Sequence, residues 1–268
     1  MIVAGRDESH GRWLVGKIRP LAPASLLRFE RLDLSKLASI ADFVGRVERL
    51  ERPIDLLINN AGVMALPLRQ VTVDGFEMQM ATNYLGHFAL TGQLLPLLLR
   101  GRDTRVVQVS SLSHRWARLN LNDLHMERGY RSLRAYAQSK LAMLIFAIEL
   151  QRRSDAAKWR LTSVAAHPGY ARTPLFEKGP GSGSLIHRVH RGIGGWLGHS
   201  AAAGAMSLLY AATALQVRPG EYYGPQGTFG LAGPTGIAPI HKRAKDSELA
   251  KRLWSASEKL TGVHWPAI

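Results

Sequence analysis

Three short apolar runs, Ile54 to Ile58, Arg105 to Val109 and Leu161 to Ala166, each end in small polar or glycine-containing residues: Asn59 and Asn60, Ser110 and Ser111, and His167, Pro168 and Gly169. Longer segments of helical period separate them, which is the pattern of βα units feeding a parallel sheet. In an open sheet of that kind the ligand crevice lies outside the carboxyl ends of the strands. Three polar strand endings therefore point to one site. Helices are predicted from Ser35, as capping residue, to about Leu50, and within Thr72 to Leu99 with a break or bend before Pro96. Others are predicted from about Arg134 to Arg153, from Ser200 to about Leu215 and from Ser247 to Leu260. The expected fold is α/β, a Rossmann-like doubly wound parallel sheet, with residues 1–268 forming a single domain.

With 268 residues and 46% apolar content the chain can bury one sizeable core. It has no cysteine, which excludes a disulfide framework, a thiolate metal site and a cysteine nucleophile together. No apolar stretch reaches the roughly 18 residues of a membrane span, and residues 1–20 carry charge throughout. Neither a span nor a signal peptide is expected, and a cytoplasmic location follows as an expectation. A net charge of +15 would attract polyanions. The arginines do not gather on one predicted face, however, and no basic run interleaves with aromatics as a nucleic-acid platform requires. The charge reads as a solvated basic surface serving a phosphate-bearing cofactor.

Residues 174–199 break the rhythm, being rich in glycine and basic side chains, and read as a loop or lid over a substrate. Gly192, Gly194, Gly195 and Gly198 follow a basic loop rather than a strand, so they do not form a dinucleotide fingerprint. His187, His190 and His199 have only Glu177 as a carboxylate companion and read as solvated rather than metal-bound. Tyr170, Leu175, Phe176, Ile186, Trp196 and Leu197 would make the lid apolar and favour a lipophilic substrate.

Tyr136 and Lys140 stand four apart on a predicted helix, so their side chains share a face. An ammonium about 4 Å from a phenolate contributes roughly 4 kcal/mol at an effective dielectric near 20, or about three pKa units. That attraction alone would bring a tyrosine from about 10 to near 7, where acid/base catalysis is efficient. A serine hydroxyl at the end of the Arg105-to-Val109 strand can hydrogen-bond a carbonyl oxygen as it becomes an alkoxide. Ser111 is the expected one; Ser110 is the alternative, because successive strand residues face opposite ways.

Asn59-Asn60-Ala61-Gly62, Asn83-Tyr84-Leu85-Gly86 followed by His87, the Val109-Ser110-Ser111 strand end, Tyr136-x-x-x-Lys140 and Pro168-Gly169-x-x-x-Thr173 occur in this order. This series resembles the short-chain dehydrogenase/reductases. The stretch between Ser111 and Tyr136, with Asn122-Asp123-Leu124, is similar to retinol-dehydrogenase-like and WW-domain-oxidoreductase-like members. The resemblance implies reversible hydride transfer between NADP(H) and a small-molecule carbonyl or alcohol. It makes Tyr136 the acid/base, Lys140 the residue that lowers its pKa and holds the nicotinamide ribose, and Ser111 the residue that orients the carbonyl. Asn83 would kink its helix and hold a water linking Lys140 to solvent. Asn59, Asn60, Ala61 and Gly62 would pack beside the adenosine ribose, with Asn59 and Ala61 nearest, and Pro168, Gly169 and Thr173 would line the nicotinamide side. Asp33 and Leu34 would touch the adenine, although Asp33 read alone is equally an acid favoured at a helix N-terminus. Arg6 resembles the arginine of NADP-preferring members, its forked donors matching a 2′-phosphate, while NAD stays possible. Helices beginning near Ala81 and Arg134 resemble those that pair across dimers, implying a homodimer or homotetramer.

The family's first strand, glycine-rich turn and first helix precede the strand that here begins at Ile2, and the sequence contains no counterpart. The glycines of such a turn let the backbone approach a pyrophosphate, so weak dinucleotide binding is expected of this chain taken alone. The absent strand would lie between the one at Ile2 and the one ending at Ile58, leaving two interior edges bare. A start site upstream, a truncated relic, or a partner supplying the strand would each account for this. The corresponding alternative function is a catalytically impaired dinucleotide sensor or scaffold; the presence of Ser111, Tyr136 and Lys140 together favours an enzyme.

Overall fold

In the computed structural model, which describes residues 1–170 and 199–267, the two most apolar runs form the centre of a sheet. β4 (Thr104–Val109) and β5 (Leu161–Ala166) pair in parallel along their whole length, from Thr104 opposite Leu161 to Val109 opposite Ala166. β3 (Leu56–Asn59) joins β4 in parallel on one side; on the other, β6 (Tyr222–Pro225) joins β5 in parallel and β7 (Thr235–Ile237) closes the edge antiparallel to β6. β1 (Ile2–Gly5) and β2 (Arg28–Arg31) form a separate parallel pair, with α1 (Glu8–Ile18) between them in sequence. Among the described residues neither β1 nor β3 carries a partner on its second edge, the two edges expected to be bare. The expected α/β architecture is thus present, with a five-stranded, mostly parallel main sheet.

The strand period sorts the core into two layers. Val106, Leu161, Ala165 and Tyr222 belong to the larger cluster with α5 (Ser132–Ala156), while Val107, Val164, Ala166 and Tyr223 face Ala211 and Ala212 of α6 (Ala201–Thr213). Ser200 caps α6 by accepting from Ala203 N at 3.1 Å. On β3 the register places Leu56 and Ile58 beside Arg105 and Val107, yet they are 40% and 37% exposed. Two large aliphatic side chains on a sheet face thus remain uncovered.

Two expected helix boundaries differ. Ser35 does not cap α2 (Leu37–Glu48): its Oγ donates to Asp33 Oδ1 at 2.6 Å, and the Leu37 N–H is taken instead by Asp74 Oδ2 at 2.9 Å, a partner distant in sequence. The segment after Thr72 is not broken before Pro96. It begins as α3 (Met78–Met80), capped by both carboxylate oxygens of Glu77, widens into a π turn at Ala81–Leu85, and continues as α4 (Gly86–Leu98) past the proline. Leu94, Leu95, Leu97 and Leu98 are all buried, and their packing outweighs the one hydrogen bond that Pro96 removes in the last turn.

The outer surface of α4 and α5 is covered by α7 (Ser247–Thr261) and the segment after it. Trp254 sits 5.1 Å from Phe88, 5.7 Å from Phe146 and 4.7 Å from Trp265 by ring centroids, with the Arg153 guanidinium 4.1 Å from its ring. Tyr84 and Ser257 share a 2.7 Å hydrogen bond beneath them. Trp254→Ala should therefore cost about 3–5 kcal/mol of unfolding free energy in urea titrations, as for other fully buried aromatics; a loss under about 1 kcal/mol would mean α7 is not integral to the core.

Candidate active site

The carboxyl end of β4 is tied to α5 by two hydrogen bonds running in opposite directions. Lys140 Nζ donates to Val109 O at 2.9 Å, and Ser110 Oγ donates to Lys140 O at 2.7 Å. Ser110 is thereby buried and committed to the helix, whereas Ser111, the next residue, is half-buried, with its side chain near enough to the Tyr136 phenol to favour the phenolate. Of the two serines, Ser111 is the one turned to the tyrosine, as alternation along the strand requires. Tyr136, Lys140 and Ser111 thus meet at one strand end, against Met64 and Ala65 of the loop after β3.

The electrostatics differ from the pairwise expectation. Lys140 Nζ lies 6.0 Å from the Tyr136 ring centroid and donates to Val109 O at 2.9 Å. Burial dominates both groups: it pushes the Tyr136 phenol up, opposed only by the neighbouring Ser111 hydroxyl, and pushes the Lys140 amine down to about 8. The Coulomb estimate omitted desolvation, which here outweighs it and reverses the expected sign for Tyr136.

Asn83 lies in the π turn, fully buried, and its amide is spent on protein partners. Oδ1 accepts from Val63 N at 2.7 Å, and Nδ2 donates to Val63 O and Ser139 Oγ, each at 2.9 Å. Both amide hydrogens are used, so the side chain is a strut between the loop after β3 and α5. Gly62 packs under it: a Cβ there would stand 2.9 Å from Asn83 Oδ1 and 3.5 Å from Lys140 Nζ. His87 Nε2 meets Ala61 O at 2.9 Å, and burial lowers its imidazole to about 4. That neutral ring holds the turn.

The other expected cofactor residues divide. Asn60 and Ala61 are exposed at the end of β3, but the Asn59 side chain points inward, donating to Thr91 Oγ1 and Gln108 Oε1 at 2.9 Å each; only its backbone can face a ligand. Leu34 is buried in the core, so it too offers main chain alone. Asp33 is partly exposed and accepts from Ser35 N and Oγ. Arg6 is exposed between β1 and α1; Asp7 beside it caps α1, accepting from His10 N at 2.9 Å. Gly169 takes φ +68° where a Cβ would meet Leu231 O, and Pro168 O is bonded by His199 Nε2 at 2.6 Å. His199, expected to be solvated, is therefore half-buried and bonded. Thr173 and the lid, except His199, lie outside the described residues. Two histidines, His87, quoted beforehand only as the residue after the Asn83-to-Gly86 motif, and His114, not singled out, each bond the backbone of a site segment. Their signal was spacing: His114 is three residues beyond Ser111.

A nicotinamide dinucleotide can be tested against these groups. At its nicotinamide end they fit: a hydroxyl, a phenol and an amine converge beside a glycine that no side chain could replace. At its pyrophosphate the described residues offer no glycine-rich turn leading from a strand into a helix.

A mostly parallel α/β sheet with serine, tyrosine and lysine gathered at a central strand end defines a nicotinamide-dependent oxidoreductase fold. The chain belongs to the short-chain dehydrogenases: the family model described as short chain dehydrogenase matches residues 1–180. It is 39% identical over 269 residues to mouse (Mus musculus) polyprenol dehydrogenase, covering 98% of this chain and 76% of that one. It is 38% identical over 241 residues to human (Homo sapiens) retinol dehydrogenase 13, covering 88% and 69%. A crystal structure of an uncharacterized protein from Mycobacterium Paratuberculosis superposes with TM-score 0.77 at 39% identity, over 99% of this chain and 85% of that one. NADPH-bound carbonyl reductase from chicken fatty liver, at 20% identity, shares the fold with TM-score 0.55 over 82% and 83%. The protein is accordingly a short-chain dehydrogenase/reductase, an oxidoreductase of NAD(P) chemistry. No helix among the described residues is long and apolar enough to cross a membrane.

The Lys140 shift has a measurable sign. Its amine falls from 10.5 to about 8 on folding, so between those values the unfolded chain binds a proton that the folded chain does not. Stability should rise with pH through that window, by at most about 1.4 kcal/mol per pH unit, relative to Lys140→Met. Paired chemical denaturation of the two proteins from pH 8 to 10 checks this, and parallel profiles would contradict it.

Proposed function

We propose that the protein exchanges hydride between NADP(H) and a lipophilic alcohol or carbonyl compound, with Tyr136 as acid/base. The observation that carries this reading is the convergence of Ser111, Tyr136 and Lys140 at the end of β4. The dinucleotide, when bound, supplies or accepts the hydride. This chain's residues handle the substrate oxygen. Ser111 Oγ accepts from Ser113 N at 3.2 Å and hydrogen-bonds the substrate oxygen while keeping its own proton, and Tyr136 gives or takes the single proton that balances the hydride. Lys140 Nζ, one helical turn away, is the group from which the phenol is reprotonated. Asn83 braces Val63 against α5.

Asn60, Ala61, Gly62, Asp33 and the backbone of Asn59 and Leu34 are proposed to meet the adenosine side, and Pro168, Gly169 and Thr173 the nicotinamide side. NADP is preferred because Arg6 is exposed and its neighbouring acid is occupied as a helix cap. Lipophilic substrates are favoured by the polyprenol and retinol dehydrogenases to which the chain is similar. Pairing of protomers through α4 and α5 finds less support, because α7 and Trp265 occupy that surface.

Tyr136→Phe should cut kcat by about 10²–10⁴-fold while leaving the dinucleotide Kd within about twofold, measured by turnover of a carbonyl panel and by fluorescence titration. Retained turnover would remove Tyr136 from the chemistry. Arg6→Ala should weaken NADPH binding about 10-fold and NADH binding hardly at all; equal losses for both would rule out a 2′-phosphate contact.

A further inference from the structure

We propose that His114 is a positioning residue that sets the Ser111 hydroxyl by holding the Ser111 peptide plane, an inference that rests on the assignment of Ser111 to the site. His114 lies in the 3-10 turn Leu112–Arg115, for which Ser111 is the N-cap, and its side chain is fully buried. Two of its donors converge on one acceptor: Nδ1 lies 2.8 Å and the backbone N 3.2 Å from Ser111 O. A carbonyl oxygen only accepts, so Nδ1 carries the ring proton. Nε2 then keeps a lone pair, and it faces the His241 N–H at 3.5 Å. The ring also stands edge-on to the buried Tyr222 ring, at 5.2 Å and 89°. Every side of the imidazole is therefore specified.

What this does for Ser111 follows from its neighbours. On the preceding side, Ser110 is anchored twice, its N–H donating to Ala166 O at 2.9 Å and its Oγ to Lys140 O at 2.7 Å. On the following side nothing but His114 and the turn it closes fixes the carbonyl. With Ser110 anchored on one side, the Ser111 carbonyl held on the other and the residue extended at φ −154°, ψ 158°, the direction of the Cα–Cβ bond is set from both ends. The hydroxyl keeps a single free choice, its own torsion, and Ser113 N at 3.2 Å narrows that. A turn of this kind needs no imidazole for its own sake; the second donor matters because it stops the Ser111 plane from rocking.

The experiment compares His114→Ala with His114→Asn, whose amide places a donor where Nδ1–H stands. Because Ser111 holds the Tyr136 phenol lower than burial alone would leave it, the Tyr136 titration reports Ser111 placement with no substrate or dinucleotide present. It is followed by 13Cζ tyrosine NMR, with Tyr136 assigned among the seven tyrosines through Tyr136→Phe. His114→Ala should move Tyr136 upward, His114→Asn should restore it, and His114→Ala should add nothing in a Ser111→Ala background. In turnover, His114→Ala should lower kcat by roughly 10- to 100-fold with KM and dinucleotide Kd unchanged, the scale on which ångström misplacement of a reacting group acts. An unmoved Tyr136 titration, a shift that persists without Ser111, or failure of the folded asparagine variant to rescue overturns the proposal. So does a 15N spectrum of the unaltered protein showing His114 protonated at Nε2, a readout that needs no variant to fold. A titration shift seen in a protein that turns nothing over leaves the positioning role standing and removes the oxidoreductase reading. The reverse pattern, turnover lost in Tyr136→Phe but indifferent to His114, does the opposite.

Discussion

The site depends on how the end of β4 is joined to α5. Val109 O receives the Lys140 amine, and Ser110 passes its own proton to Lys140 O, so one helical residue is gripped by two consecutive strand residues at its two ends. Each bond is buried, and breaking either would strand a polar group in a region of low dielectric, where the penalty exceeds the bond's net worth in water. This join fixes the azimuth of α5, and with it the direction of Tyr136 one turn earlier. Asn83 adds a third tie through Ser139, the residue before Lys140, and brings the loop after β3 to the same place. The three functional groups are held by a polar layer beneath them.

The sheet is less complete than the site. β4 and β5 have strands on both sides, while among the described residues β1 and β3 have them on one, and β3 shows Leu56 and Ile58 to solvent. The discontinuity falls on the side of β3 away from Ser111 and Tyr136. The half that carries Ser111 and Tyr136 has a large core, with α4, α5 and α7 locked around Phe88, Phe146, Trp254 and Trp265.

Long, strongly patterned elements were legible in the residues. α5 extends two to three residues beyond each predicted end, and β4, β5 and α7 lie where their periods put them. What escaped had weak or misleading patterns. β2 reads Arg-Phe-Glu-Arg, with one apolar side chain; β6 holds a glycine and a proline; and the π turn lies in a segment buried on all sides, where period carries no information. Ser35 failed as a cap because Asp74, far along the chain, competes for the same amide. The gathering of Ser111, Tyr136 and Lys140 was readable from spacing; their hydrogen-bond partners were not, since Val109 O and Lys140 O are backbone atoms that no side-chain motif announces.

The error in the expected Tyr136 shift identifies the variable that controls the site. With an amine and a phenol both buried, each resists its charge, and the two respond oppositely to any charge brought near. A cation entering the crevice stabilises the phenolate and further disfavours the ammonium; an anion, such as an alkoxide forming at Ser111, favours the ammonium and disfavours the phenolate. Lys140 is already close to neutral pH at about 8, so a modest field moves it between donor and acceptor, while Tyr136 needs a larger one. The charge states of the tyrosine and the lysine therefore both respond to the charge of whatever occupies the crevice beside them. Burial supplies the sensitivity, and the polar layer under β4 supplies the fixed distances over which that charge acts.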